Sequence, residues 1–214
     1  EGYLPEAVLN MLAKLGWSNT EKDIFTTDDL IKIFDVSDIQ RSGAVFDKER
    51  LNFINQNHMA MKTDDELMSL LKIFNEKNGF SLSDHHDPER LVRLCVGSGN
   101  NFSEISNFIK PFVIDFDEYD KADFDKHLLE SESVLNYFKE SIHSISDWDE
   151  AIFEEIINSA MKDLDLPMPK IGLPLRVALV GRAKSPPLSS TIYLIEKNKT
   201  IERLDKALKV ISEH

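Results

Sequence analysis

This 214-residue sequence has few of the residues and segments that point directly to a class of protein. A single cysteine, Cys95, excludes an internal disulfide, and eight glycines and eight prolines are too few for a collagen-like or disordered chain. No apolar run approaches the roughly 18–20 residues needed to cross a bilayer as a helix. The opening residues Glu1–Pro5 lack the basic and apolar segments of a secretory signal. We therefore expect a globular protein of the reducing cytoplasm without a membrane partner.

Positive charge is also in deficit, since the formal net charge is −13. A uniformly acidic surface repels nucleic acid, because phosphate binding depends on Lys and Arg. The deficit is uneven, however: residues 167–214 contain nine basic and four acidic side chains, whereas residues 1–166 carry a net charge of −18. The C-terminal segment therefore permits polyanion binding, although a solvated basic helix has the same composition.

Apolar residues recur at spacings of three and four along nearly the whole chain, which predicts helices. Thr63 and Glu66 have the spacing of a capping box, which predicts that a helix begins there. The first two helices are predicted to turn these side chains inward: Leu4, Val8, Leu9, Leu12, Leu15, Leu30, Ile31, Ile33 and Phe34. No βαβ alternation and no long repeat is present, so the pattern predicts an all-α fold with two helical bundles in tandem.

Three segments contain residue types that carry chemistry elsewhere. Adjacent His85 and His86 point in different directions and lack a second ligand motif, so a solvated loop is predicted. Residues 115–120 resemble the start of an EF-hand calcium loop but do not fit one, because Tyr119 and Asp120 occupy the positions that need an oxygen ligand and glycine. Cys95 lies in an apolar stretch and is predicted to be a buried thiol. We therefore predict no metal site and no catalytic residue.

The basic C-terminal segment offers binding instead of catalysis. Arg176 interrupts an otherwise apolar helix, so its guanidinium either pairs with a carboxylate or projects from the core. An arginine beside a rigid turn such as Ser185-Pro186-Pro187-Leu188 can stack on an unpaired base or donate to its edge, as in proteins that read single-stranded RNA. Both alternatives remain open at this point.

Two separated parts of the sequence carry recognisable motifs. The first reads GYLPEAVLNMLAKLGWS at residues 2–18 and continues at Ser42–Leu51; the second comprises Pro174–Gly181, Ser185–Leu188 and Arg203-Leu204. In this order and separation they resemble the bacterial glutamyl-tRNA synthetases. Between them, residues 62–167 match the family in pattern only.

The resemblance implies the C-terminal part of a class I enzyme that attaches glutamate to tRNA(Glu) with ATP and Mg²⁺. The catalytic Rossmann domain of that family lies upstream of Gly2, so this chain is expected to lack it, to hold no cofactor and to be inactive alone. Residues 1–60 would be a remnant of the stem-contact region. Residues 61–112 and 113–214 would be two helical anticodon-binding subdomains. The expected partners are tRNA and the chain's own missing catalytic domain.

Site residues follow from the same resemblance. The residues of the family that surround the first two anticodon bases match Arg176, Ser185, Pro186 and Leu188. The position that often reads the third base with arginine matches Ser98, whose short neutral side chain implies weak discrimination and charging of tRNA(Gln) as well. Phosphate contacts are expected from Lys170, Arg182 and Lys184. The competing interpretation is a non-enzymatic helical adaptor that binds another protein through an apolar face.

Overall fold

The computed structural model describes residues 1–15, 17, 22–39 and 45–214. Over these ranges it contains helices and one isolated β-bridge, between Trp17 and Ile39. The α-helices are α1 Pro5–Lys14, α2 Thr27–Ile33, α3 Lys48–Ala60, α4 Asp64–Lys77, α5 Pro88–Val96, α6 Phe102–Val113, α7 Lys121–Asp123, α8 Glu132–Ser144, α9 Glu150–Asp163, α10 Met168–Val180, α11 Leu188–Ile195 and α12 Lys197–Ser212. Short 3-10 turns occur at Val36–Asp38 and Leu82–Asp84, and a π-helical turn at Phe124–Leu128. The all-α prediction is confirmed.

The chain divides into two compact units. Unit 1 comprises residues 1–82 and 95–107, and unit 2 comprises residues 83–94 and 108–214. Helices α5 and α6 each contribute residues to both units. The three segments expected from the resemblance stay a prediction. None of the helices in the described ranges is long and apolar enough to cross a membrane.

In unit 1, α1 packs against α2 and α3. The side chain of Asn55 ties two segments together, since its Oδ1 accepts from the Leu4 amide (2.8 Å) and its Nδ2 donates to the Asn100 carbonyl (2.7 Å). Gly2 lies close to α6, and a Cβ built on it would be 2.5 Å from the Ser103 nitrogen. Because its φ is also +82°, glycine is required at this position.

The predicted inward faces of α1 and α2 are largely wrong. Leu4 and Leu30 are buried, but Leu12 is 55% and Ile31 76% exposed. Helix α1 buries Ala7, Asn10 and Met11 instead. On a short helix with apolar residues on more than one side, spacing cannot indicate which side finds a partner. The capping box of α4 is confirmed, because Thr63 and Glu66 exchange both side-chain-to-backbone hydrogen bonds.

Unit 2 contains a bundle in which α12 packs on α8 and α10, and α11 on α9. Its core includes Phe138, Phe153, Leu175 and Leu204, all fully buried. Helix α10 ends at Gly181, which adopts φ +80° and donates its amide to the Val177 carbonyl (2.9 Å). This end of α10 leads directly into the turn predicted to contact RNA.

The prediction of a solvated loop at the two histidines is wrong for His85. His85 is 7% exposed, its Nε2 lies 3.1 Å from the Leu194 carbonyl oxygen, and its Nδ1 accepts from the Asp87 amide (3.0 Å). Burial lowers its pKa, so the neutral ring is retained. His86 is exposed. Cys95 is fully buried as predicted, and burial raises the pKa of its thiol.

Candidate nucleic-acid interface

Arg176 is held against the turn that follows α10. Its side chain is half-buried, and Nη1 lies 2.8 Å from the Ser185 carbonyl oxygen, 2.5 Å from Ser185 Oγ and 2.6 Å from the Pro186 carbonyl oxygen. Burial lowers the pKa of the guanidinium. Among the described residues no carboxylate pairs with Arg176, so the salt bridge considered from the sequence is not formed.

This geometry leaves a cation whose charge is not neutralised. An arginine side chain has five N–H donors and stays protonated in proteins even when its pKa is lowered. The three contacts of Arg176 all use Nη1, so the N–H groups of Nη2 and Nε lie outside them. A half-buried guanidinium bound only by neutral oxygens is suited to an additional acceptor, such as a base edge or a phosphate.

The turn itself presents a proline surface. Ser185 is half-buried, Pro186 and Leu188 are buried, and Pro187 is exposed. The hydroxyl of Thr191 donates to the Pro187 carbonyl (2.8 Å), which joins the turn to the first residues of α11. The structure therefore brings the four predicted anticodon residues together. Pro186 and Leu188 form the floor of this group rather than its surface.

Two aspartates fix the segment that precedes the turn, residues 181–184. The amide of Asp120 donates to the Gly181 carbonyl (2.8 Å), and Asp123 Oδ2 accepts from the Ala183 amide (2.7 Å). Sequence reasoning missed this role. The spacing of Asp120 and Asp123 indicates a helix N-cap, which the structure shows, but it carries no signal for a partner 60 residues away.

Arg203 of α12 supports the same end of α10 from inside unit 2. The residue is 4% exposed, with Nη1 2.6 Å from the Leu179 carbonyl oxygen and Nη2 2.5 Å from the Pro111 carbonyl oxygen. Nη2 also contacts Asp115 Oδ1 at 3.2 Å. Burial lowers the pKa of Arg203, and the carboxylate of Asp115 opposes the shift. Arg203 satisfies a carbonyl that the helix end leaves without an internal donor.

The residues expected to contact phosphates lie at opposite ends of α10. Lys170 is exposed in its first turn, whereas Arg182 and Lys184 follow its last residue. Lys184 Nζ lies 5.5 Å from the centre of the Phe108 ring. Burial lowers the pKa of Arg182, and the carboxylates of Asp120 and Asp123 oppose this.

Ser98 is half-buried in the segment between α5 and α6 and belongs to unit 1, whereas the other predicted site residues belong to unit 2. The neighbouring Gly99 packs tightly, since a Cβ built on it would be 2.6 Å from Ile105 Cγ1. Within the described ranges, no three His, Cys, Asp or Glu side chains lie close enough together to hold a metal ion.

Comparison with known families identifies both parts of the chain. Residues 65–208 match the model of the anticodon binding domain, and residues 1–53 match the model of the catalytic domain of class I tRNA synthetases (E and Q). The chain therefore belongs to the anticodon-binding domain family.

Two solved structures of glutamate-tRNA ligases are also similar to this chain. A glutamate tRNA ligase from Elizabethkingia meningosepticum is 30% identical, with a TM-score of 0.78 over 98% of this chain. Glutamate-tRNA synthetase from Elizabethkingia anophelis is also 30% identical, with a TM-score of 0.75 over 97% of this chain. The chain spans 42% and 41% of these two proteins. The resemblance to glutamyl-tRNA synthetases is confirmed.

Proposed function

We propose that this chain recognises the anticodon of tRNA, and that Arg176 is the central base-contacting residue. The observation that carries this proposal is the half-buried guanidinium, which neutral oxygens of Ser185 and Pro186 hold through Nη1. A guanidinium fixed in this way loses little conformational entropy when Nη2 and Nε bind a base. The exposed ring of Pro187 provides an apolar surface beside it.

We further propose that the chain acts as part of an enzyme that ligates glutamate to tRNA(Glu). The similarity to two glutamate-tRNA ligases and the match of residues 1–53 to a catalytic-domain family support this role. The complete enzyme would use ATP and Mg²⁺, whereas this chain alone would not activate glutamate. Glutamate-dependent exchange of pyrophosphate into ATP tests this: the 214-residue chain should show none, and activity should require an upstream catalytic part.

Relaxed specificity at the third anticodon base is the finer part of the proposal. Ser98 has a short neutral side chain that cannot donate two hydrogen bonds to a base edge as arginine does. Tight packing at Gly99 restricts the adjustment of this segment. We therefore propose that the complete enzyme also charges tRNA(Gln). Sequencing of the charged tRNAs would refute this if only tRNA(Glu) were found.

Titration with anticodon stem-loops tests recognition directly. The chain should bind the glutamate and glutamine stem-loops but not an unrelated one. The variant Arg176→Ala should lose about 10- to 100-fold in affinity, because a bidentate arginine contact to a base is worth about 1–3 kcal/mol. Arg176→Lys should not restore binding, since lysine lacks the planar fork.

Arg93→Ala is the matched control, because Arg93 is an exposed arginine of the same unit. It should bind nearly as the unchanged protein does. Equal losses in the two variants would show that net charge, not the position of Arg176, determines affinity, and would contradict the proposal.

One observation favours the alternative of a protein-binding adaptor. Large apolar side chains of α1 and α2 are exposed in unit 1, among them Leu12 and Ile31. Such an interface tolerates salt, whereas RNA binding weakens as salt rises. Failure of every stem-loop to bind, together with salt-tolerant binding of a protein partner, would favour the adaptor.

A further inference from the structure

A second feature of unit 2 is a cavity of about 240 Å³ at the start of α10. Lys126, His127 and Lys170 line it with side chains able to donate hydrogen bonds, and the hydroxyl of Ser131, which also lines it, already donates to the Leu128 carbonyl. Val134, Pro169 and Pro174 supply apolar walls. None of the roles proposed above uses Lys126 or His127.

Local structure explains why these side chains reach one cavity. The π-helical turn at Phe124–Leu128 packs against α10. Phe124 and Leu128 are both buried and anchor the turn, which leaves Lys126 exposed and His127 half-buried. A π-turn inserts an extra residue into the helical repeat, and such turns often occur at functional sites because they redirect side chains.

The charge of this cavity is unusual for so acidic a chain. Among the described residues neither Lys126 nor Lys170 has an ion-pair partner, although Glu130 also lines the cavity. Elsewhere in unit 2, Lys199 pairs with Asp115 at 2.7 Å. The two lysines outnumber the single carboxylate of Glu130 in the cavity lining, so the local charge is positive, and the apolar walls increase its effect.

We propose that this cavity binds a ribose-phosphate unit of the RNA backbone. Lys126 and Lys170 contact the phosphate, His127 adds a hydrogen bond, and the rings of Pro169 and Pro174 pack against the sugar. The contact is independent of base identity. This proposal rests on the proposed function, because it adds a backbone contact to the same RNA that Arg176 reads.

The position of the cavity on α10 fits that combination. Lys170 and Arg176 are six residues apart on one helix, which corresponds to about 9 Å along its axis. Six residues also correspond to about 120° around the helix axis, so a strand that contacts both side chains must pass around α10. The backbone contact would set the register of the strand, while Arg176 would discriminate between bases.

The experiment uses the full 214-residue chain and the double variant Lys126→Ala/Lys170→Ala. Affinity should fall on the order of five-fold for every stem-loop that binds, with the ratio between loops unchanged. The slope of log affinity against log salt should become shallower by about one. Arg176→Ala should instead change the ratio between loops. The matched control is Lys72→Ala/Lys162→Ala, which removes two exposed lysines of α4 and α9 and the same net charge.

A second readout is the His127 ring signal in NMR spectra. It should shift when the glutamate stem-loop is added, and the double variant should abolish the shift. If the double variant and the control bind RNA equally, or if RNA binds without moving the His127 signal, the cavity proposal is overturned while the anticodon proposal stands. If inorganic phosphate moves the signal but RNA does not, the ligand is a small phosphate and the RNA proposal is again overturned. If the unchanged chain binds no stem-loop, both proposals fail.

Discussion

The two units differ in how many of their large apolar side chains are exposed to solvent. Of those that the structure describes as exposed, thirteen belong to unit 1 and only Ile114 and Met168 belong to unit 2. An apolar side chain left in water contributes none of the roughly 25 cal/mol per Å² that burial provides. Unit 2 therefore leaves fewer of its described large apolar side chains in water than unit 1 does, and both units also contain buried polar contacts.

Those polar contacts differ between the units as well. In unit 1, buried amides such as Asn10 and Asn55 connect separate segments of the chain. In unit 2, buried Arg203 and His85 bind carbonyl oxygens of helices packed beside them. The comparison predicts that apolar truncation damages unit 2 most and that amide removal damages unit 1 most.

The largest effect is expected from Phe138→Ala. Phe138 of α8 is fully buried in unit 2, so its truncation should lower the free energy of unfolding by about 3–5 kcal/mol. Phe53 of α3 is 51% exposed, and Phe53→Ala should cost less than about 1 kcal/mol. Urea unfolding followed by far-ultraviolet circular dichroism measures both. Similar losses would mean that Phe53 is covered in solution.

The next effect concerns the amide of Asn10. Its Oδ1 accepts from the Phe25 amide at 2.8 Å and lies 3.1 Å from His58 Nε2. Asn10→Ala leaves these buried donors unsatisfied, so unit 1 should lose about 2–3 kcal/mol. A Trp148→Phe background makes Trp17 fluorescence the probe of unit 1. Asn57→Ala, at a half-buried position of α3 where the amide donates only within its own helix, is the control and should cost much less.

A smaller effect is expected from the pH dependence of His85. Its neutral ring is bonded in the fold and its pKa is lowered, so the unfolded chain takes up the proton first as pH falls below about 6.5. The contribution of neutral His85 to the free energy of unfolding is fully present above that pH. It is lost as pH falls towards the lower pKa that His85 has in the folded protein, by at most about 1.4 kcal/mol per pH unit.

His85→Gln should reduce this slope. The control is His143→Gln, at an exposed position of α8, because the charge of the neighbouring His86 itself lowers the pKa of His85. In a Trp17→Phe background, Trp148 fluorescence during urea unfolding at pH values from about 5 to 7 reports on unit 2. If the free energy of unfolding of unit 2 depends on pH with the same slope in both histidine variants, His85 does not contribute to that dependence.

Asp123→Ala tests the segment that precedes the proline turn. Loss of the acceptor for the Ala183 amide should cost about 1 kcal/mol and accelerate hydrogen exchange at that amide. RNA affinity should fall with it, because residues 181–184 would be less well ordered before binding. Asp123→Asn retains a carbonyl oxygen and should restore most of the affinity. Failure of this rescue would mean that the charge of Asp123, not its hydrogen bond, matters.

The smallest effect is expected at the exposed apolar surface of unit 1. Ile31 is 76% exposed, so Ile31→Ser should change the free energy of unfolding by less than about 0.5 kcal/mol. Thermal unfolding monitored by circular dichroism provides the measurement. A loss comparable with that of Phe138→Ala would mean that Ile31 is covered in solution.

Local patterns in the sequence were sufficient to predict helices and their starts. The capping box at Thr63 and Glu66 depends on contacts three residues apart, and such contacts can be read directly from spacing. The failures concern faces and distant partners. Ile31 and Leu12 follow helical spacing but are exposed, because the choice of buried face depends on which other helix packs there.

The sequence by itself determined the helical class, the concentration of positive charge in residues 167–214 and the motifs that carry the family resemblance. It also indicated that the charged guanidinium of Arg176 could not be buried in the core without a partner. Only the tertiary structure decided that Arg176 binds Ser185 and Pro186, that Asp123 holds Ala183, and that His85 is buried. The His85 and Asp123 contacts join residues 109 and 60 positions apart. Composition and periodicity describe interactions within one or two helical turns, so contacts at such separations exist only after the helices have packed.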